Sequence, residues 1–222
     1  MEKEIRFLES LLSEKRLNRI KQVINNKIEN ITVVLDNLLD SHNTSAIIRT
    51  AEGLGLKDIY IIEKDYEFEI NKAVTKYSHK WVELHRYKDF TPCVKDLKEK
   101  GYKIFVANVG EKSVKLTDIE ITPENKYAFV VGNEHDGISD EMLKYADCEF
   151  TIPMYGFTES FNVSVACAII LSYTIYKYRN ALNKPSDLSE NEKQKIYFDF
   201  LKKAVKNSDV LLKSFKKREN KS

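Results

Sequence analysis

Six short runs of apolar and β-branched residues recur along this 222-residue chain, with helical stretches between most of them. The runs are Ile31–Leu35, Ile59–Ile62, Trp81–Leu84, Lys103–Ala107, Tyr127–Val131 and Glu149–Ile152. Hydrophobicity that is continuous rather than alternating marks strands covered on both faces. The intervening helical stretches are 44–54, about 70–77, 89–100 and 139–146, and Gly101 stands where the third should end. Such alternation predicts an α/β fold with a mostly parallel sheet.

The ends of the chain read differently. Residues 3–28 have the apolar spacing of one amphipathic helix, with Ile5, Leu8, Leu12, Ile20 and Ile24 on its covered side. A long helix is predicted from Ser160 to Leu182, closed by Asn183-Lys184-Pro185. Residues 189–218 follow as a basic helical tail, with Pro185-Ser186-Asp187 as the linker candidate. The expected organisation is an N-terminal helical extension (1–30), an α/β domain (31–184) and a basic C-terminal helical extension (185–222). Net charge is +2 overall but unevenly spread: residues 1–30 carry +2, 31–176 carry −7 and 177–222 carry +7. Basic ends around an acidic middle suit a protein that grips a polyanion with its flanks.

Several function classes are excluded. There is no apolar run of membrane-spanning length and no secretory leader pattern in MEKEIRFLES, which predicts no membrane association and a cytoplasmic setting. Cys93, Cys148 and Cys167 are far apart and odd in number, so they read as plain thiols, neither disulfides nor zinc ligands. His42, His79, His85 and His135 lack ligand spacing, so no metal is expected. Gly132 to Ser139 has the glycine spacing of a P-loop, yet Ile138 occupies the place of the phosphate-binding lysine. Gly53-Leu54-Gly55 lacks a third glycine and reads as a helix end.

Ligands of parallel sheets bind beyond the carboxyl ends of the strands. That directs attention to three loops: Asp36 to Arg49, Gly132 to Ser139, and Pro153 to Ala166. Together they resemble the three signature motifs of the SpoU branch of the SPOUT RNA methyltransferases. The first is Asn43…Arg49, the second Val131-Gly132-Asn133-Glu134-His135-Asp136-Gly137-Ile138-Ser139, and the third Ile152-Pro153-Met154…Ser160-Phe161-Asn162-Val163-Ser164-Val165-Ala166. The likeness also runs through Ser78-His79-Lys80-Trp81-Val82 and Leu97-Lys98-Glu99-Lys100-Gly101, and covers about residues 19–185.

The resemblance implies more than periodicity can show. It implies a trefoil knot in the C-terminal part of the sheet, a homodimer, S-adenosylmethionine as cofactor and tRNA as partner. The implied reaction is methyl transfer to the ribose 2′-hydroxyl of the D-loop guanosine of tRNA. The alternatives are ribosomal RNA, another tRNA position, or a non-catalytic RNA-binding protein of the same fold. By the same resemblance Arg49, Asn43, Glu134, Ser160 and Asn162 are the catalytic set, with the Asn43 amide placed to orient the Arg49 guanidinium. Asn108, Val131, Gly132, Gly137, Ile152, Met154, Phe161 and Asn162 are implied to hold the cofactor. Arg19, Lys98, Lys177 and Arg179 are implied to meet RNA. The chain departs from the family's usual third motif at Phe161, where leucine is usual, and at Glu159, where glutamine is usual.

Overall fold

A computed structural model of the protein describes residues 2–65, 67–133 and 135–219. Two helices come first, α1 (Glu2–Glu9) and α2 (Glu14–Ile24). The single helix expected over 3–28 is therefore broken. Ser13 takes an extended backbone and its hydroxyl accepts from the Arg16 amide at 3.3 Å, an N-cap that starts a new helix.

The α/β unit, residues 28–187, follows. Its elements are β1 (Ile31–Asp36), α3 (Ser41–Gly53), β2 (Asp58–Ile62), α4 (Lys72–Thr75), β3 (Glu83–Tyr87), α5 (Phe90–Glu99), β4 (Tyr102–Ala107), β5 (Val114–Lys115), β6 (Lys126–Gly132), α6 (Asp140–Leu143), β7 (Cys148–Thr151) and α7 (Val163–Leu182). The strands form one sheet in the order β3-β2-β1-β6-β4-β7-β5, and every pairing among them is parallel. The register sets Asp36 beside both Ile62 and Gly132, which brings the ends of β2, β1 and β6 level.

Both faces of the sheet are covered, as the apolar runs require. Val33, Leu35, Ile59, Ile61, Phe105, Phe129 and Val131 point to one side, where α3 and α7 supply Ile47, Ile48, Cys167, Ile170 and Leu171. Val34, Tyr60, Ile62, Ile104, Val106, Ala128 and Val130 point to the other, against Cys93, Val94 and Leu97 of α5 and Met142 of α6. Full burial of a side chain such as Phe129 contributes roughly 1.5–3 kcal/mol.

One expectation about strands is corrected, and one strand was not foreseen. The third strand is Glu83–Tyr87 rather than 81–84, and Trp81 closes a 3-10 turn over Ser78–Trp81. An edge strand with one polar face, Glu-Leu-His-Arg-Tyr, carries too little apolar signal to be seen. The two-residue strand β5 had no signal at all. The 185–187 segment is no loose linker. The Asp187 carboxylate accepts from the Glu29 amide at 2.9 Å, the Asn30 amide at 3.0 Å and the Tyr178 hydroxyl at 2.8 Å. It thereby ties the end of the unit to the residues entering β1.

Helices α8 (Glu190–Ala204) and α9 (Ser208–Glu219) complete the chain. They cluster with α1 and α2 as a second unit, residues 2–27 and 188–219. Phe7 stacks on Phe215 with ring centroids 4.5 Å apart. Lys216 pairs with Glu4 at 2.7 Å, Lys3 pairs with Glu219, and the Tyr197 hydroxyl donates to Glu9 at 2.6 Å. The expected helical tail is two helices, with Asn207 at φ 58° between them.

Candidate active site at the carboxyl edge of the sheet

Helix α3 opens the site. Asp40 is its N-cap and accepts from the His42 amide at 2.7 Å, so the helix starts earlier than its apolar pattern showed. Asn43 is buried in the first turn, and its side-chain oxygen accepts from the Asn162 amide nitrogen at 3.2 Å. Asn162 is at the same time the N-cap of α7, its oxygen accepting from the Ser164 amide at 2.9 Å and the Ser164 hydroxyl at 2.6 Å. One side chain therefore starts α7 and joins the first motif to the third.

Arg49 lies further along α3, exposed, with no hydrogen bond or ion pair to any described residue. The expected Asn43–Arg49 hydrogen bond is thus corrected. Six residues on a helix turn the two side chains well away from each other. Ser160 is also relocated. The helix begins at Val163, leaving Ser160 exposed in the preceding loop. Glu134 lies outside the described residues.

The second-motif loop is built by its own side chains. The Asn133 and Gly137 backbones exchange hydrogen bonds of 3.0 and 3.2 Å, and the Asn133 side-chain oxygen accepts from the His135 and Asp136 amides at 2.8 and 2.7 Å. Gly137 has φ 70°, a left-handed conformation that suits glycine. A Cβ on Gly132 would stand 2.0 Å from the Gly137 carbonyl oxygen and 2.5 Å from the Ile138 nitrogen. Gly132 is therefore required by its own loop, a different reason from the expected approach to a cofactor. Val131 is likewise core, so only its backbone faces the loop region.

Asp36 holds this loop from below, and sequence reasoning missed its role. One of its carboxylate oxygens accepts from the Ser139 amide at 3.1 Å and the Ser139 hydroxyl at 2.9 Å. Burial pushes the Asp36 carboxyl above the ordinary aspartate range, partly offset by those two bonds. The signal in the sequence is its place, the last residue of the first strand.

The remaining cofactor positions gather on neighbouring strand ends. The Asn108 amide nitrogen of the backbone donates to the Phe150 carbonyl at 2.9 Å, and its side chain donates to Glu149 at 2.8 Å. Ile152 and Met154 are half-buried on the loop after β7, and Phe161 is exposed beside the α7 cap.

Three of the four positions expected to meet RNA are engaged within the fold. Lys98 pairs with Asp147 at 2.6 Å. Lys177 donates to the Thr117 and Ile119 carbonyls at 3.1 and 3.2 Å. Arg179, its pKa lowered by burial, donates to the Pro185 and Leu54 carbonyls at 2.6 and 3.2 Å. Arg19 is exposed on α2 and bonds only its helix neighbour Gln22 among the contacts described, at 2.9 Å. Among the described residues, Asp58, Glu83 and His85 bring possible metal-ligand atoms within 4.8 Å of one another. They lie at the amino edge of the sheet, and Asp58 already faces His85 at 2.8 Å and the Lys57 ammonium at 3.3 Å.

The sequence pattern of the SpoU rRNA Methylase family matches residues 30–172, the larger part of the chain. The chain belongs to this family. A relative in Borreliella burgdorferi, a tRNA (guanosine(18)-2′-O)-methyltransferase, is 37% identical over 205 residues, covering 92% of this chain and 93% of its own. The crystal structure of the Aquifex aeolicus TrmH/SpoU tRNA modifying enzyme superposes with a TM-score of 0.78 at 33% identity, over 87% of this chain and 98% of that one. The SpoU methyltransferase AviRb of Streptomyces viridochromogenes, in complex with AdoMet, shares the fold at TM-score 0.57 and 19% identity, over 66% of this chain and 59% of that one.

Proposed function

We propose that this SpoU-family chain is a tRNA 2′-O-methyltransferase that modifies guanosine 18 in the D-loop. The observation that carries the reading is the Asn43–Asn162 bond, which locks the first and third motif loops together at one edge of the sheet. S-adenosylmethionine supplies the methyl group as a sulfonium electrophile. The residues fit it. Backbone groups of the loops beginning at Asn108, Gly132 and Ile152 line the edge, Ile152, Met154 and Phe161 offer apolar surface, and Glu149 beside Asn108 suits a sulfonium cation.

The ribose oxygen must shed its proton as it becomes the nucleophile. A guanidinium is a poor general base, so the role assigned to Arg49 is to stabilise charge developing on that oxygen and to hold a substrate phosphate that takes the proton. Asn43 and Asn162 position the helix that carries Arg49. Ser160, with its exposed hydroxyl, and Glu134 are assigned to substrate and loop positioning, and the transfer is assigned no metal.

We assign the first RNA contacts outside the site to Arg19 and the basic helical unit. A knot in the C-terminal part of the sheet, a second copy of the chain against α7 and a cytoplasmic setting belong to the same proposal. The exposed Val165 and Tyr176 support the second copy, since eleven residues bring them onto one helix face. No helix among the described residues is long and apolar enough to cross a membrane.

The test is transfer of labelled methyl from S-adenosylmethionine to an unmodified tRNA transcript, with the labelled nucleotide mapped. Label at guanosine 18, with kcat lowered on the order of a hundredfold or more in Arg49→Ala, is expected. Label on ribosomal RNA alone would move the substrate, and an Arg49→Ala variant of normal kcat would remove Arg49 from the chemistry.

A further inference from the structure

The connection between β2 and β3 carries a feature that the methyl-transfer reading does not use. Lys76 and Tyr77 are consecutive non-glycine residues with φ of 47° and 64°, both in the left-handed region. That conformation is costly for bulky side chains and concentrates at functional positions. The Tyr77 ring is 54% exposed. The Lys80 ammonium lies 5.0 Å from the centre of that ring.

The charged residues of the 71–82 segment itself have one sign. Lys72, Lys76 and Lys80 are exposed and form no ion pair with any described residue. No acidic residue occurs between Asn71 and Val82. His79, whose Nδ1 lies 3.0 Å from the Thr75 hydroxyl, has its pKa lowered by burial and by Lys80 and Lys72. The neighbouring Ser78 hydroxyl is buried with no hydrogen-bond partner among the described residues.

The segment is anchored to the helix that carries the candidate catalytic arginine. The Asn71 backbone amide donates to the Ser45 hydroxyl at 3.2 Å, and α4 and the 78–81 turn pack along α3. Ser45 and Arg49 are four residues apart, one above the other on the same helix face. The segment that carries the exposed tyrosine and its lysines is therefore anchored to the same helix as Arg49.

Resting on the RNA-methyltransferase reading, we propose that Tyr77 is a stacking platform for an unpaired base of the RNA substrate. Lys72, Lys76 and Lys80 hold the adjoining phosphates and so guide the strand toward Arg49. A ring that projects from a basic, acid-free segment is the arrangement that binds single-stranded nucleic acid by stacking and phosphate contact. The loop nucleotides of a folded RNA have free base faces for it, whereas a base in a duplex does not.

Three variants of the full chain test this with unmodified tRNA transcript. Tyr77→Asn removes the ring with a residue that tolerates the left-handed backbone. Its KM and Kd for tRNA should rise on the order of tenfold, with S-adenosylmethionine binding unchanged. Tyr77→Phe should restore wild-type values, because the face of the ring and not its hydroxyl is used. The triple Lys72→Gln/Lys76→Gln/Lys80→Gln variant should lower the salt slope of tRNA binding by about two units. The proposal is overturned if Tyr77→Asn binds tRNA within about twofold of wild type, or if Tyr77→Phe is as weak as Tyr77→Asn. It is also overturned if the lysine variant keeps the full slope. Wild-type protein that methylates no RNA would instead end the underlying reading. Active wild type with an unaltered Tyr77→Asn ends this proposal alone.

Discussion

Gly132 and Asp36 end neighbouring strands in register, and each is set by its neighbours rather than by solvent. At Gly132 a methyl group would meet the returning Gly137–Ile138 backbone, which cannot yield as a side chain can. Gly132→Ala should therefore cost at least about 1–3 kcal/mol, seen as a lower urea midpoint together with lost activity. A variant of wild-type stability would show that the loop relaxes without cost. Asp36 makes a prediction of the opposite sign. Its folded pKa is raised, so the native chain holds a proton there at a pH where the unfolded chain has lost it. Stability then falls as pH rises from the ordinary aspartate value, about 3.9, through the raised folded value. Asp36→Asn can keep both Ser139 bonds through its carbonyl oxygen and carries no charge to desolvate. Urea midpoints from acid to neutral pH should show a flatter profile and no loss near neutrality. A large loss there would mean the carboxylate itself is needed. The types and order of the site residues were legible in the sequence. The Ser139 bonds of Asp36 and the close approach of Gly137 to Gly132 were not, because both depend on how the 133–139 loop folds back on itself and over the end of β1.

Secondary elements in this chain are delimited by side-chain caps more than by apolar period. Ser13 splits a helix that hydrophobic spacing alone would run through, and Asp40 starts α3 ahead of its apolar stripe. Asn162 moves the start of α7 past Ser160, which changes Ser160 from a cap into an exposed loop hydroxyl. The two duties of Asn162 are separable. Asn162→Asp keeps an acceptor for the Ser164 amide, and its charge suits a helix N-terminus, but it loses the donor to Asn43. Thermal stability should stay near wild type while methyl transfer falls. Asn162→Ala loses both functions and should also lose about 1 kcal/mol, read from thermal or urea unfolding. If Asn162→Asp is fully active, the link between the motifs is not required for the reaction. An edge strand with a polar face was the hardest element to read, as the shift of β3 past Trp81 shows.

For the whole molecule, the sequence predicted extensions at the two ends, and the structure gathers their helices into one unit through the Phe7–Phe215 stack and the Lys216–Glu4 pair. The proposed dimer is testable at this scale. Val165→Glu with Tyr176→Glu should place two buried carboxylates in the interface and convert the protein to monomers in sedimentation, leaving the fold intact by circular dichroism. A dimer that survives both changes would place the second copy elsewhere. What the sequence by itself determined is the layered parallel sheet, the carboxyl-edge location of the loops and the residue types of the motifs. Continuous apolar runs and helix periods are local properties of the chain. What only the tertiary structure decided is that β6 lies between β1 and β4, that Asn162 reaches Asn43, and that Lys177 and Arg179 spend their charge on backbone carbonyls. Those outcomes depend on which distant groups are brought within hydrogen-bond reach, and spacing along a chain carries no record of that distance.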